Sequence, residues 1–474
     1  MRHFCYPKTM PRHIHIIGIC GVATSALAIA FHKAGVKVTG SDKGFFPPVS
    51  TELEKAGIPF YAGWHPEKIG TPDLIIAGAS GTSLSNPEIM YAKEKSIPLL
   101  SFAEALGKYV IRKNSIVCAG TWGKTSNSAL LSHIMIQAGM DPAYFTGGIS
   151  LSHETAAHMA NSDWSVVEGD EYQAAIWDRK AKFFYYKPTY LLLTAVSWDH
   201  ADLYPTEADY LNAFKKLLAN LPASGLIVAD KNRPDVIKLL EGFAGKIVWY
   251  GNDSADYSYG NVRQSIDGLT FEIKHQNAAF KIVSPRLGSF QAENMTGCFA
   301  MAHEIGISPE KIVAAIASFK GMKRRLEKRL DGNNSGSGVT IFDDIAHSPE
   351  KASAVLKELR AVYSGKVIAV FEPNIGGRER GVVLKYSAAF KDADTVIIPH
   401  LSKLKISDDK AEQPMEGVEL AMTIKKTHPD AYCLEDDEEL VNALISLAKK
   451  GDVIVFLGSH GFRGMIEETV KELT

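Results

Sequence analysis

The sequence predicts an α/β protein made of several parallel-sheet domains in a row. Three observations carry this. The 474 residues exceed what one hydrophobic core usually supports. Short apolar runs alternate with helical patterns near both ends, as in "IHIIGICGVATSALAIAFHKAGVKVTGSD" and in "KVIAVFEP … TVIIPH … DVIVFLGS". Between them, "SIVCAGTWGKTSNSALL" reads as a strand, a glycine turn and a helix.

Taken in order, the N-terminal region should form a strand at 14–18, a helix at 22–34 and a strand at 36–40, with a further apolar run at 74–80. The first boundary is expected near residue 112. A second region then opens on "SIVCAG" and continues through "WSVVEGDE", "PTYLLLTAV", "GLIVAD" and "GKIVWYG", each a buried-strand pattern ending in polar residues. Alternation in "GLTFEIKHQNAAFKIV" predicts an antiparallel hairpin within 257–283, and helices should follow at 291–305 and 309–319. A third region begins near Lys323 as a second doubly wound unit, with "DGNNSGSG" (331–338) as a loop just inside it. The expected domains are thus 1–112, 113–322 and 323–474.

Composition narrows the function. Hydrophobic residues at 46% and charged residues at 22% fit a soluble globular protein. A formal charge of −2 supplies no basic field for nucleic acid and no attraction to a membrane. No apolar run reaches the ~18 residues of a membrane span. The N-terminus lacks the apolar core of a signal peptide, so a cytoplasmic protein is expected. The five cysteines (5, 20, 118, 298 and 433) form no C-x-x-C pair, which argues against a zinc site or disulfide framework and for buried, reduced thiols.

The motifs that carry chemistry begin with "AGTWGKTSNS". The general phosphate-loop expression would need glycine at 118, where the chain has Cys118. Gly120 and Gly123 nevertheless allow a tight turn, with backbone N–H groups and a helix N-terminus placed for phosphate. Lys124 can reach the outer phosphates, and the Thr125 hydroxyl can bind Mg²⁺. "EGDEY" ends an apolar strand with Glu168, Asp170 and Glu171, hard oxygen donors suited to Mg²⁺ or, alternatively, a solvated acidic turn. "SWDHADLY" places Asp199 and His200 after a strand. "KGMKRRLEKR" is either a phosphate clamp or a basic hinge. "FDDIAHSP" offers Asp343, Asp344 and His347 to a ribose or base, or to helix capping before Pro349. "GICGVATS" fits a dinucleotide fingerprint poorly, since Cys20 and Ala23 fill glycine positions. Asp42 there could accept from a ribose or cap a turn.

In order, G-T-x-G-K-T, E-x-D-E, D-H, an Arg pair and D-D-x-x-H resemble the Mur ligase family, over essentially the whole chain. The resemblance implies a UDP-sugar domain, a central ATPase domain and a C-terminal amine-binding domain, with ATP and Mg²⁺ as cofactors. "IHIIGICG" and "VTGSD" resemble the members that bind UDP-N-acetylmuramate. "DRKAKFFYYKP", "FEPN" and "FKGMKRRLE" resemble those joining it to the murein tripeptide L-Ala-γ-D-Glu-meso-diaminopimelate in cell-wall recycling; L-alanine is the alternative amine. Catalysis would proceed through an acyl phosphate on the lactyl carboxylate.

By family position, Gly120, Thr121, Gly123, Lys124, Thr125 and Ser126 cradle the phosphates. Thr125, Glu168 and His200 hold Mg²⁺, and Lys124, Glu168 and His200 form the catalytic set. Asn294 meets the adenine, Asp344 the ribose and His347 the nucleotide nearby. Arg325 reaches phosphate when the domains close. Gly18, Gly21, Asp42, Ser80 and Asn86 face the UDP-sugar, and Asn374, Arg378, Arg380, Ser459 and His460 the peptide. No nucleic-acid or membrane partner is implied, and the protein is expected as a monomer or weak homodimer. This chain departs from the family at Trp122 (usually histidine), Ala195 (asparagine), Ser197 (glutamate), Glu293 (histidine) and Gly297 (asparagine). A non-catalytic nucleotide or UDP-sugar binder, and a phosphate-loop enzyme acting on an unrelated substrate, are the competing readings.

Overall fold

A computed structural model describes residues 10–45, 49–78, 83–402 and 413–474. It contains three main sheets. The first has five parallel strands in the order Phe60–Ala62, Lys37–Asp42, His13–Ile17, Leu74–Ala77, Leu99–Ser101. The strand expected at 36–40 runs on to Asp42, because Ser41 pairs with both Ile17 and Tyr61 and Asp42 pairs with Ala62. The helix Val22–Lys33 follows the first strand, as the apolar spacing predicts.

The second sheet has ten strands. Asn114–Ala119 lies at its middle, between Tyr190–Leu193 and Trp164–Gly169, both parallel to it. Leu226–Asp230 and Lys246–Gly251 extend the sheet on one side. Beyond them Tyr257–Ser265, Gly268–His275 and Ala278–Ser284 lie side by side. Two-residue connections can join only antiparallel neighbours, so this is the expected hairpin with one more strand. The helices Phe290–Glu304 and Pro309–Ser318 follow within a residue of their expected bounds.

The third sheet runs Glu327–Leu330, Thr340–Asp344, Val453–Gly458, Val367–Glu372, Thr395–Ile398, Ala431–Cys433. Only its first pair is antiparallel.

The chain gathers into two compact units. The larger holds the described residues up to Val262 with Thr270–Ser284 and Phe290–Lys320, and the smaller holds Arg263–Leu269, Pro285–Ser289 and Gly321–Thr474. The first two sheets therefore share one unit, and their side chains show why. Phe102, on the helix Phe102–Tyr109, meets Phe145 of the central sheet edge-on, with ring centres 5.2 Å apart. A Cβ on Gly107 would lie 2.4 Å from the carbonyl oxygen of Tyr185, so glycine permits the close approach. Cys20, Cys118 and Cys298 are buried thiols in no disulfide and Cys433 is partly buried, as expected; Cys5 lies outside the described residues. Among the described residues no helix is long and apolar enough to cross a membrane.

The helix Phe102–Tyr109 starts from a reciprocal capping box. The Ser101 hydroxyl accepts from the Glu104 backbone N–H, and the Glu104 carboxylate accepts from the Ser101 N–H. Ser101→Ala should therefore lower stability by about 1 kcal/mol, read as a drop in the thermal or urea midpoint.

Candidate active site

Strand Asn114–Ala119 leads through four residues into the helix Lys124–Gln137. Gly120 has φ +136° and Gly123 φ +80°, both in the region that favours glycine. At Gly120 space matters as much as torsion. A Cβ there would sit 2.2 Å from the Thr194 hydroxyl and 2.7 Å from the Ala195 carbonyl. The turn is tied to the segment after the neighbouring strand. Thr121 N–H donates to the Ala195 carbonyl (2.8 Å), and its hydroxyl donates to the Ser197 carbonyl (2.7 Å). Ser197 N–H donates back to that hydroxyl, and Thr194 Oγ1 donates to the Trp122 carbonyl (2.6 Å). Ala195 and Ser197 thus hold the loop through backbone atoms, so their departures from the family leave its shape intact.

Lys124 folds back over this turn. Its ammonium donates to the Gly120 carbonyl at 2.7 Å and contacts Glu171 at 3.0 Å. Glu171 is fully buried, and burial pushes its carboxyl above the ordinary range despite Lys124. Tyr204 donates to its backbone carbonyl at 2.6 Å, and His200 Nε2 stands 3.7 Å from its carboxylate. His200 itself has φ +56°, a conformation costly for a non-glycine residue and common at functional sites. Asp170 is engaged elsewhere, by Lys182 at 2.5 Å. Glu171 is therefore the acid that meets both Lys124 and His200, a role that its place in "EGDEY" did not single out.

Glu168 is the penultimate residue of the strand Trp164–Gly169, opposite Cys118 of the loop's own strand. A Cβ on Gly147 would come within 2.1 Å of its Oε2, so that glycine makes room for the carboxylate. Thr125 sits in the first turn of the phosphate-loop helix. Among the described residues, no three His, Cys, Asp or Glu side chains converge into a metal cage. Mg²⁺ needs none, because it keeps several waters and takes one or two carboxylates together with substrate phosphates. A hydroxyl and a carboxylate beside a phosphate loop suit that requirement.

Trp122 projects out of the turn, 47% exposed, with the Arg233 guanidinium 5.6 Å from its ring centre. Arg233 is held by Glu293 (2.5 Å) and by Asp230 (3.2 Å), a buried acid whose carboxyl is pushed up by burial and by Glu293. Glu293, in place of the family histidine, is thus one end of an ion-pair chain that reaches the indole. Asn294 lies beside the loop, its Oδ1 2.9 Å from where a Gly123 Cβ would stand. Gly297 packs on Tyr250, with 2.9 Å between its would-be Cβ and the Tyr250 ring.

In the first sheet Gly18 has φ +77°, and its carbonyl accepts from the Thr24 hydroxyl at 2.6 Å. Gly21 caps the next helix, and a Cβ there would meet that hydroxyl at 2.8 Å. Asp42 accepts from Cys20 N–H, and Asn86 from the N–H groups of Glu88 and Ile89. Both therefore shape turns. Ser80 lies outside the described residues.

In the smaller unit, Asp344 accepts from Leu326 N–H and Ala346 N–H, one on each carboxylate oxygen. His347 Nδ1 is bonded to the Ile345 carbonyl. The helix cap before Pro349 is Ser348 rather than either aspartate. Arg325 is exposed, whereas Arg324 is locked onto Asp343 and the carbonyls of Gly458, Ser459 and His460. Arg378 is buried, its donors taken by Met415 O, Ser402 O and Glu416, and Arg380 is paired with Glu419. Asn374 caps a 3₁₀ turn through Gly377 N–H. Of the five expected peptide contacts, Arg380 and His460 are exposed, Asn374 and Ser459 half-buried and Arg378 buried; His460 stands beside Glu372, a buried acid that sequence reasoning passed over.

Three family models match the chain in succession: the Mur ligase family catalytic domain at 13–114, the Mur ligase middle domain at 118–302 and the Mur ligase glutamate ligase domain at 324–460. The chain belongs to the Mur ligase family. It is thereby an ATP-dependent ligase that forms a C–N bond and releases ADP and phosphate. This Mur ligase is 32% identical over 472 residues to the UDP-N-acetylmuramate–L-alanine ligase of Rhizobium etli, covering 97% of this chain and 96% of that one. Its fold matches a solved UDP-N-acetylmuramate–alanine ligase from Thermotoga maritima at TM-score 0.78, with 22% identity and 97% and 98% of the two chains covered. A UDP-N-acetylmuramate:L-alanyl-γ-D-glutamyl-meso-diaminopimelate ligase from Neisseria meningitides matches at TM-score 0.60 and 26% identity, over 66% of this Mur ligase and 99% of that chain.

Asp343 yields a pH prediction. Burial raises its carboxyl from 3.8 to about 6, although Arg324 and Arg329 oppose the shift. The folded state then holds a proton that the unfolded chain has released, so this group's contribution to stability falls as pH rises from 3.8 to about 6. Asp343→Asn should flatten that fall, measured as urea midpoints of both proteins across the window.

Proposed function

We propose that this Mur ligase activates the lactyl carboxylate of UDP-N-acetylmuramate with ATP and joins it to the amine of L-alanine. The observation that carries the reading is the full-length 32% identity to a ligase named for that sugar nucleotide and that amino acid. It moves the amine preference from the tripeptide, the expectation raised by "DRKAKF" and "FEPN", to the free amino acid. Intact Lys124, Thr125, Glu168, Glu171 and His200 support turnover rather than a binding-only relative.

In this reading Lys124 leaves Glu171 for the β- and γ-phosphates. Thr125, Glu168 and His200 would hold Mg²⁺, which would supply charge neutralisation for phosphoryl transfer. The backbone of Gly120–Thr125 orients the phosphates, Asn294 reads the adenine, and Asp344, His347 and Arg325 serve the nucleotide from the C-terminal domain. Gly18, Gly21, Asp42, Ser80 and Asn86 form or shape the UDP-sugar site, so the division 1–112, 113–322 and 323–474 assigns one substrate to each domain. The amine, after losing its ammonium proton, attacks the acyl phosphate carbonyl, and the tetrahedral intermediate expels phosphate and a further proton to leave the amide.

A second reading keeps the murein tripeptide as the amine. It is favoured by the resemblance of "DRKAKFFYYKP" and "FEPN" to the members that join the tripeptide. The 26% likeness to the Neisseria ligase supports it as well.

A panel of free L-alanine, dipeptide, tripeptide and tetrapeptide with UDP-N-acetylmuramate, followed as phosphate release, separates the two. L-Alanine should support the highest kcat/KM. A tripeptide preference would establish the second reading, and ADP release indifferent to the sugar would refute both. Lys124→Ala should abolish ADP release while UDP-N-acetylmuramate binding, measured by calorimetry, is unchanged; equal loss of both would contradict the division of labour between domains.

A further inference from the structure

Glu372 closes the strand Val367–Glu372 of the third sheet and is 1% exposed. Its Oε1 accepts from Ser402 N–H (3.0 Å) and from the Ser402 hydroxyl (2.6 Å). Its Oε2 is buried and has no hydrogen-bond partner among the described residues. A buried carboxylate oxygen left unpaired is costly and calls for an explanation. Neighbouring cations do not supply one. Arg463 Nη1 stands 4.0 Å from Oε2, at ion-pair distance but beyond a hydrogen bond, while its Nε and Nη2 donate to Asp437 at 2.8 and 2.6 Å. His460 Nδ1 is 3.8 Å from Oε1 and bonded to the Ser459 hydroxyl.

The surroundings have the character of a site. Glu372 pairs with Gly458, and a Cβ on that glycine would fall 2.9 Å from the Glu372 carbonyl and 3.2 Å from its Cβ. Phe462 and Arg463, which follow, have φ +52° and +49°, strained values for non-glycine residues. The carboxylate lies at the C-terminal end of parallel strands, where open α/β sheets bind ligands. Ser459 and His460 border it at the surface.

We propose that Glu372 Oε2 receives the protonated primary amine of the incoming substrate, orienting its nitrogen as the free amino acid or peptide docks on the C-terminal domain. The inference rests on the amide-ligase reading above. An ammonium brings up to three donors and a positive charge, matching a carboxylate whose other oxygen is already saturated. The chemistry is shared by the α-ammonium of L-alanine and the N-terminal ammonium of a peptide headed by it.

The test compares the wild-type enzyme with Glu372→Gln and Glu372→Asp, using L-alanine, the tripeptide and hydroxylamine as nucleophiles. Hydroxylamine is uncharged near neutral pH and traps an acyl phosphate as a hydroxamate. Glu372→Gln should raise KM for the accepted ammonium substrate about 10- to 100-fold, the loss of one charge-assisted hydrogen bond. KM for ATP and UDP-N-acetylmuramate and the rate of hydroxamate formation should stay at wild-type values, and Glu372→Asp should recover part of the loss. The arm whose KM moves, free amino acid or peptide, identifies the source of the ammonium. An unchanged KM for every ammonium substrate would mean that the oxygen meets only water, and an equal loss with hydroxylamine would mean a structural role; either overturns the proposal. If the wild-type enzyme makes neither amide nor hydroxamate from UDP-N-acetylmuramate, the ligase reading itself falls.

Discussion

A lysine ammonium held against a buried carboxylate sets the charge balance beneath the nucleotide loop. Bringing two ions out of water costs several kcal/mol for each, and their attraction returns a similar amount, so the Lys124–Glu171 pair is close to neutral as a source of stability. Its value lies in exchange. An incoming phosphate can take over Lys124, and Glu171, whose carboxyl burial already pushes up, can then take a proton instead of standing as an uncompensated buried charge. Because the loop's shape comes from two glycines and from hydrogen bonds of its backbone and of the Thr121 and Thr194 hydroxyls across to 194–197, it does not depend on where Lys124 points.

The folding pattern was legible wherever a strand is buried on both faces. Runs such as "YLLLTAV" and "DVIVFLGS" are apolar throughout because parallel sheets are covered on both sides. The turn that follows each strand advertised itself by glycine or acid. What periodicity could not convey was company. Nothing local in "FAEALGKY" says that Phe102 will seek Phe145, or that Gly107 is a glycine because Tyr185 lies against it. For the same reason the first two sheets share a unit although each reads as separate.

Site residues divide along a similar line. Gly120, Gly123 and Lys124 were readable because a phosphate turn has a local signature. Glu171 was hidden among three acids, and only the fold shows which of them Lys124 meets. Asp42 and Asn86 carry the right chemistry for a ligand, yet their oxygens are taken by backbone N–H groups of adjoining turns. Arg378 was chosen for its charge and proves to be a buried strut. Glu372 stood in a quoted motif and drew no attention, because an unpaired oxygen is a property of three-dimensional surroundings. The family departures sort in the same way. Those at 195 and 197 fall where only the backbone acts, whereas Trp122 and Glu293 belong to one chain of contacts through Arg233 and are best regarded as a joint replacement.

Gly297 and Tyr250 constrain what each other's position can accept. The phenol is wholly buried, and its ring fills the space that a side chain at 297 would need. Restoring the family asparagine at 297 alone would force that ring against its packed neighbours, and shrinking Tyr250 alone would open a hole. Neither single substitution is neutral, so asparagine at 297 is accommodated only with a matching change at Tyr250 or in a form that folds less well.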